Sequence, residues 1–355
     1  MSWSRALSAR CLLALAGSFM ACGGSPGMPS RAGELPPAVE IAAEAPAPSI
    51  EEAPGCPNEP PELTEPRAGS RLPPLPKINP AVMKAYRVEV CYWGTLELEA
   101  ARDSYLRSLH GAAPSEAAIP VFPRHPENQR PSYERQARAC NVAVGLADPA
   151  TPVDAAMADF APFSVALAQD ITRALAYYER GEHLQDGFAE GNALHARLIE
   201  GFGKLDALRG RLGAAMPIYE RQRPAPSCAK EASERRTLEC FATARVTLRG
   251  LLAAQPSPAG PRPSLDALER CSAAVKDLSS ASPSQPWPKI LAPLLEAFTR
   301  KAADARFDEE GLDPESKQAL AEGFVSLIEA RMRATTRAMV VSVQNIQGGP
   351  PAAPP

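Results

Sequence analysis

Four side chains near position 186 are close enough in the sequence to form a small polar pocket. Tyr177 and Tyr178 end one predicted helix, Asp186 lies in the polar turn that follows, and His195 lies in the next predicted helix. Phenol, carboxylate and imidazole groups can bind a small ligand or transfer a proton. We favour a structural interpretation, in which Asp186 caps the helix that carries His195, and His195 hydrogen-bonds the tyrosine pair.

Cys22 is the residue for which the neighbouring sequence predicts the most specific chemistry. Two arginines precede residues 11–20, a mostly apolar run with the length of a secretory signal core and too short to span a bilayer. The run ends Phe-Met-Ala-Cys at Cys22, which resembles a bacterial lipobox and implies acylation of that cysteine. The alternative is an ordinary signal peptide that is cut near Ala21 and leaves Cys22 as a free thiol. Gly23, in place of aspartate, favours sorting to the outer membrane.

Disulfides are the second expected cysteine chemistry, because an exported chain meets an oxidising compartment. Outside the N-terminal segment the chain has Cys56, Cys91, Cys140, Cys228, Cys240 and Cys271. Six cysteines allow 15 connectivities. Among them we favour Cys91 with Cys140, and Cys240 with Cys271, which lie on successive predicted helices. Cys56 could reach many partners, and buried free thiols stay open as the alternative for each position.

Other catalytic and metal-binding motifs are missing from the sequence. There is no Cys-x-x-Cys, no HExxH, no Gly-x-Ser-x-Gly, no P-loop and no GxGxxG. The acidic run 308–310 is interpreted as a solvated charge cluster. The sequence therefore predicts no metal, no cofactor and no recognisable catalytic constellation. The formal net charge of −3 also makes nucleic acid an unlikely partner, because few phosphate counterions would be released.

The chain is predicted to have four parts. Residues 1–21 are the signal peptide, and residues 22–76 are the acylated cysteine and a disordered tether, in which 14 of the 54 residues from 23 to 76 are proline. The helical domain covers 77–347, and 348–355 form a disordered tail. We favour a tether that acts as a spacer and has no binding role of its own.

The helical domain is recognised from apolar residues that step by threes and fours along one face. Pro/Gly-rich breaks separate the steps, so we expect an all-α fold, an elongated antiparallel bundle of about seven or eight helices. The first helix is predicted to run from Pro80 to Leu109 without a break. The others are expected at about 133–144, 153–178, 198–219, 229–254, 264–279, 287–305 and 313–339.

One segment of the helical domain resembles a known family. It reads Tyr-Tyr at 177–178, Asp-Gly-Phe-Ala-Glu-Gly at 186–191, and Leu-His at 194–195, followed by Leu198. This is similar to the YiiG-like family of bacterial lipoproteins, which has a paired tyrosine, an acidic turn and Leu-His opening the next helix. The likeness covers about residues 78–345. It implies export and a helical fold, and no particular activity.

Two functions are compatible with these features. The first is an envelope lipoprotein, lipid-anchored to the outer membrane and facing the periplasm, whose non-catalytic helical domain binds or scaffolds an envelope protein. The second is an enzyme or small-ligand receptor that uses Tyr177, Tyr178, Asp186 and His195. We favour the first, because a tethered helical body without a catalytic motif is typical of a binding module.

Overall fold

The chain folds as an all-α helical bundle, which confirms the fold class predicted from the apolar spacing. The structure, a computed structural model, describes residue 78 and residues 80–123, 133–145, 151–221, 232–254, 264–309 and 311–347. All of these belong to one compact unit, Ala53–Pro355. The predicted signal peptide, Cys22, the tether with Cys56, Cys228 and the tail lie outside the described residues.

Ten helices and one short ribbon make up the described residues. The helices are α1 Pro80–Gly94, α2 Leu96–Leu109, α3 Tyr133–Gly145, α4 Pro152–Glu179, α5 His183–Asp186, α6 Ala189–Arg221, α7 Ala232–Ala253, α8 Asp266–Ala281, α9 Pro286–Ala303 and α10 Pro314–Gln347. Between α9 and α10, strands β1 Phe307–Asp308 and β2 Gly311–Leu312 pair antiparallel. This two-residue ribbon was not predicted, because it is too short to leave a period-two pattern.

Several helices begin at caps that the sequence encodes locally. At the start of α4 the Thr151 hydroxyl accepts a hydrogen bond from the Asp154 amide (3.2 Å), and the Asp154 carboxylate accepts one from the Thr151 amide (3.3 Å). At the start of α10 the Asp313 carboxylate accepts hydrogen bonds from the amides of Glu315 and Ser316, both at 3.1 Å. The predicted start of the last helix at Asp313-Pro314 is therefore confirmed.

Two hydrophobic cores share the helix α1. One is built mainly from α1, α2, α3, α4 and α6, and the other mainly from α7 to α10. In α1, Val88 and Cys91 pack into the first core, whereas Val90 and Trp93 pack into the second. The Trp93 ring meets the Phe324 ring of α10 edge-on, with centroids 5.1 Å apart. Because α1 is buried on both sides, it joins the two halves of the bundle.

Each core contains one disulfide, and both are the pairs that the sequence favoured. The sulfur atoms of Cys91 and Cys140 are 2.12 Å apart and join α1 to α3. Those of Cys240 and Cys271 are 2.00 Å apart and join α7 to α8. Since each bridge closes a loop of tens of residues, we expect each to stabilise its core by about 3 kcal/mol.

The prediction of one unbroken helix from Pro80 to Leu109 is wrong, because the helix is interrupted at Thr95. The Thr95 hydroxyl donates to the Cys91 carbonyl at 2.9 Å, as a side chain that competes with the helical backbone often does. Beside the break, a Cβ on Gly94 would lie 2.7 Å from Gln136 Oε1 of α3. The close approach of α3 and the arrival of an arginine from α6 hold the interruption in place.

That arginine is Arg209, whose side chain is only 7% exposed. Its Nη1 donates to the Tyr92 carbonyl at 2.6 Å and to the Thr95 hydroxyl at 3.0 Å, and it pairs with Glu99 of α2. The guanidinium carbon lies 4.7 Å from the centre of the Tyr92 ring. One side chain from α6 thus satisfies the backbone carbonyl at the break and also neutralises a carboxylate one turn beyond it.

No helix among the described residues is long and apolar enough to cross a bilayer.

We predict that Arg209→Leu lowers the free energy of unfolding by about 3 kcal/mol, because Glu99 and the Tyr92 carbonyl each lose a close charged partner inside the bundle. They keep only weaker contacts, with Lys317 at 3.9 Å and with the Thr95 hydroxyl at 3.2 Å. Arg211→Leu is the matched control on the same helix. The Arg211 side chain is 59% exposed and pairs with Asp159 at the surface, so its loss should cost less than about 1 kcal/mol. Urea unfolding followed by circular dichroism measures both, and equal midpoints for the two variants would contradict the role of Arg209.

Candidate functional site

The candidate residues lie on the hairpin formed by α4, the single-turn α5 and α6. Gly187 and Phe188 both have left-handed backbone conformations, with φ of 60° and 67°, and they reverse the chain before α6 begins. Phe188 is buried, and its ring centre lies 5.2 Å from that of His183 in α5. The polar turn therefore has a small aromatic core of its own.

Asp186 caps α6, as predicted. Its Oδ2 accepts a hydrogen bond from the Glu190 amide at 3.0 Å, and its Oδ1 accepts one from the Tyr177 hydroxyl at 2.7 Å. These bonds, led by the one from the Glu190 amide, hold the pKa of Asp186 below its ordinary value. Burial, together with the bond to Asp186, raises the pKa of Tyr177 to about 12. Tyr177 therefore stays protonated and acts here as a hydrogen-bond donor to the cap.

Gly191 lets α4 and α6 approach closely at the tyrosine pair. A Cβ at this position would lie 2.8 Å from Tyr178 Oη and 3.0 Å from Tyr177 Cε1. The two tyrosine rings meet edge-on at 4.9 Å, and both residues are buried. Tyr178 Oη is buried and has no hydrogen-bond partner among the described residues. Burial and, to a smaller extent, the neighbouring Tyr177 raise the pKa of Tyr178.

The predicted hydrogen bond between His195 and the tyrosine pair is wrong, because His195 bonds to Tyr105 of α2. The distance from His195 Nδ1 to Tyr105 Oη is 3.0 Å, and the two rings stack at 5.9 Å. Burial lowers the pKa of His195 and raises that of Tyr105, so that a neutral imidazole can accept a hydrogen bond from the protonated phenol. Tyr105 lies 90 positions away in sequence, and no local pattern could have identified it.

The four predicted residues thus serve two separate contacts. Tyr177 and Asp186 form a helix cap, whereas His195 packs against α2. Only Asp186 is exposed; His195 is half-buried, and both tyrosines are buried. Phenols whose pKa is raised can donate hydrogen bonds but do not ionise near neutral pH. As a set, these side chains are better suited to holding helices together than to proton transfer.

Two clefts open elsewhere on the described surface. One, of about 420 Å³, lies between α7 and α8 and is lined by Arg236, Ala274, Asp277, Leu278 and Ala281. The other, of about 610 Å³, lies where α9 turns into α10 and has mostly charged and polar walls, including Lys301, Asp304 and Glu322. Neither is lined by the four predicted residues. Within the described part of the chain, no three His, Cys, Asp or Glu residues are grouped to hold a metal ion.

We predict that Gly191→Ala lowers the free energy of unfolding by about 1–2 kcal/mol, because the added methyl must displace two buried tyrosine rings. Gly203→Ala, on the same helix, is the control. A Cβ there meets no atom within 4 Å, so the better helix propensity of alanine should stabilise the protein by up to about 1 kcal/mol. Thermal unfolding of the two variants measures the difference, and stabilisation of similar size in both would show that α4 and α6 are not in close contact at Gly191.

Comparisons with protein-family models, with curated proteins and with solved structures gave no match to this chain. The resemblance to the YiiG-like family therefore stays a prediction, and function must be argued from the chain itself.

Proposed function

We propose that the protein is exported and anchored to the outer membrane, facing the periplasm, through an acylated Cys22. The signal-like residues 1–21 and the lipobox-like sequence support this proposal. The two disulfides inside the described bundle also support it, because such bonds persist in oxidising compartments and are rare in a reducing cytosol. With acyl chains at one end and a proline-rich tether behind them, the helical body would have a long reach from its point of attachment.

We further propose that the helical body is a non-catalytic binding or scaffolding module for another envelope protein. The observation that carries this proposal is the use of the candidate polar residues as structural contacts, with Tyr177 bonded to the Asp186 cap and His195 bonded to Tyr105. The alternative, an enzyme or small-ligand receptor at these residues, would need the two tyrosines to reach a ligand, and both are buried.

Candidate contact points for a partner are the large apolar side chains that remain exposed. Among the described residues seven are at least two-fifths exposed, and they lie on several helices and on the segment after α2: Leu106, Ile119, Val121, Val142, Leu184, Ile199 and Val246. Single exposed apolar residues are normal on a protein surface. A partner would therefore be recognised by contacts from a few of these positions and not from all of them.

Intact mass of the membrane-extracted full chain tests the anchor. We expect a chain that begins at position 22 and carries acyl chains, and a Cys22→Ser variant that carries none. Alkylation of thiols with and without prior reduction should reveal at least four cysteines that become reactive only after reduction, namely those of the two bridges. Protein kept in the cytosol with residues 1–21 intact, or a cleaved chain without acyl groups, would refute the anchor.

Site-specific photocrosslinking in intact cells tests the binding module. A photoreactive residue placed at Leu184, 70% exposed, or at Val246, 63% exposed, should capture the same envelope protein reproducibly if either faces the partner. The control is the buried Leu248, which should capture none. If none of the seven exposed positions captures a specific neighbour while the protein is correctly anchored, the binding role is refuted and the anchor is not.

A further inference from the structure

Helices α1 and α10 lie antiparallel, which places the beginning of α1 next to the last third of α10. Near the end of α1, the Trp93 ring contacts that of Phe324 in α10, with centroids 5.1 Å apart. Further back, Glu89 of α1 pairs with Arg331 at 2.5 Å. Residue numbers fall along one partner as they rise along the other. The chain that precedes α1 leads back to position 22, so this end of the bundle is the one from which the proposed tether leaves.

Three arginines at this end have no carboxylate partner among the described residues. They are Arg87 of α1 and Arg333 and Arg337 of α10, and we refer to them as the arginine face. Their neighbours Arg245 and Arg331 differ, because both pair with the buried Glu89, at 3.6 and 2.5 Å. Arg333 and Arg337 are exposed and lie one helical turn apart on the same side of α10. Arg333 and Arg337 can therefore reach an anion outside the protein, and the partly buried Arg87 lies beside them.

Tyr86 connects the arginine face across the two helices. The Arg87 guanidinium carbon lies 5.0 Å from the centre of the Tyr86 ring, and Arg87 Nε is buried without a hydrogen-bond partner among the described residues. Burial and the nearby Glu329 raise the pKa of Tyr86, whereas Arg87 and Arg333 act to lower it. Both guanidinium groups are thus near one phenol. Glu329 is the acidic group beside them, and it leaves the face with an excess of positive charge.

The opposite end of the described bundle has the opposite charge. There Glu116 follows α2, Glu179 ends α4, and Asp304 and Glu309 lie between α9 and α10. None of these four carboxylates has a cation within 4 Å in the part of the chain that the structure describes. An asymmetric charge distribution of this kind orients a molecule at an anionic surface, with its positive end toward that surface.

We propose that the arginine face docks on the anionic phosphate headgroups of the membrane to which the protein is anchored. This inference rests on the proposed function, because the anchor makes that membrane the anionic surface at the highest local concentration. Guanidinium groups bind phosphate through paired N–H donors, which suits Arg87, Arg333 and Arg337 to lipid phosphates. Docking would lay the tether end of the bundle on the bilayer and turn the acidic end toward the periplasm.

The test uses the chain from position 22 onward with Cys22→Ser, which keeps the tether and every described helix but cannot be acylated. Its binding is measured by sedimentation with vesicles of phosphatidylcholine alone and of phosphatidylcholine mixed with phosphatidylglycerol, an anionic lipid whose surface potential attracts basic residues. The variant is Arg87→Gln, Arg333→Gln, Arg337→Gln. The control is Arg173→Gln, Arg180→Gln, Arg197→Gln, which removes the same charge from exposed arginines on the α4–α6 hairpin.

We expect binding to the anionic vesicles only, weakened by high salt. Each arginine that is removed should weaken binding by about tenfold or less. The triple variant should therefore bind roughly 100-fold more weakly than the parent chain, and the control variant should bind like the parent chain. Equal binding to both vesicle types, no loss in the triple variant, or an equal loss in the control would each overturn the proposal. Because this chain carries no lipid, such a failure leaves the acylation of Cys22 to be judged by the mass measurement alone.

Discussion

The bundle depends on one constraint, the burial of α1 on two sides. A helix that faces a single core can use an apolar stripe and leave the rest of its surface polar, whereas α1 must supply Val88 and Cys91 to one core and Val90 and Trp93 to the other. Polar groups on the buried faces of such a helix have no contact with water, so they need partners inside the protein. Glu89 meets this need with Arg331 and Arg245, and the carbonyl of Tyr92, at the break before α2, meets it with Arg209. The interruption at Thr95 is therefore part of how the two halves are joined.

The polar groups of the candidate site likewise have partners inside the protein. The turn between α4 and α6 is polar in sequence, but its groups are directed at one another and at the helix ends: Tyr177 to Asp186, Asp186 to the amide of Glu190, and His195 to Tyr105. A tyrosine that is buried and kept protonated by its surroundings strengthens a helix contact and contributes little to acid–base chemistry near neutral pH. A rigid body of this kind suits a protein that presents a surface to a partner.

Charge is distributed unevenly between the two ends of the helical bundle. Ion pairs inside the protein occupy Glu89 and Asp103 near the α1–α10 contact. Among the described residues, the arginine face lies at the end where α1 begins, and carboxylates without a cation within 4 Å lie at the far end. The proposed acyl chains would attach one end of the chain to a bilayer but leave the orientation of a long-tethered domain free. A few uncompensated arginines would reduce that freedom at small energetic cost, because each acts only within a Debye length of the surface. The anchor would then attach the protein to the membrane, and the arginine face would orient it there.

The sequence by itself determined the all-α class, most helix positions and the Asp186 cap, because each depends on periodicity or on residues a few positions apart. It also favoured both disulfide pairs among the 15 connectivities, since the paired cysteines lie on successive predicted helices. It also predicts the signal peptide and acylation, which lie outside the described residues. Only the tertiary structure decided that the first helix breaks at Thr95, that Arg209 occupies the break and that His195 bonds to Tyr105. These contacts join residues about 90 or more positions apart, and a long-range contact depends on how whole helices cross, which no local pattern of residues encodes.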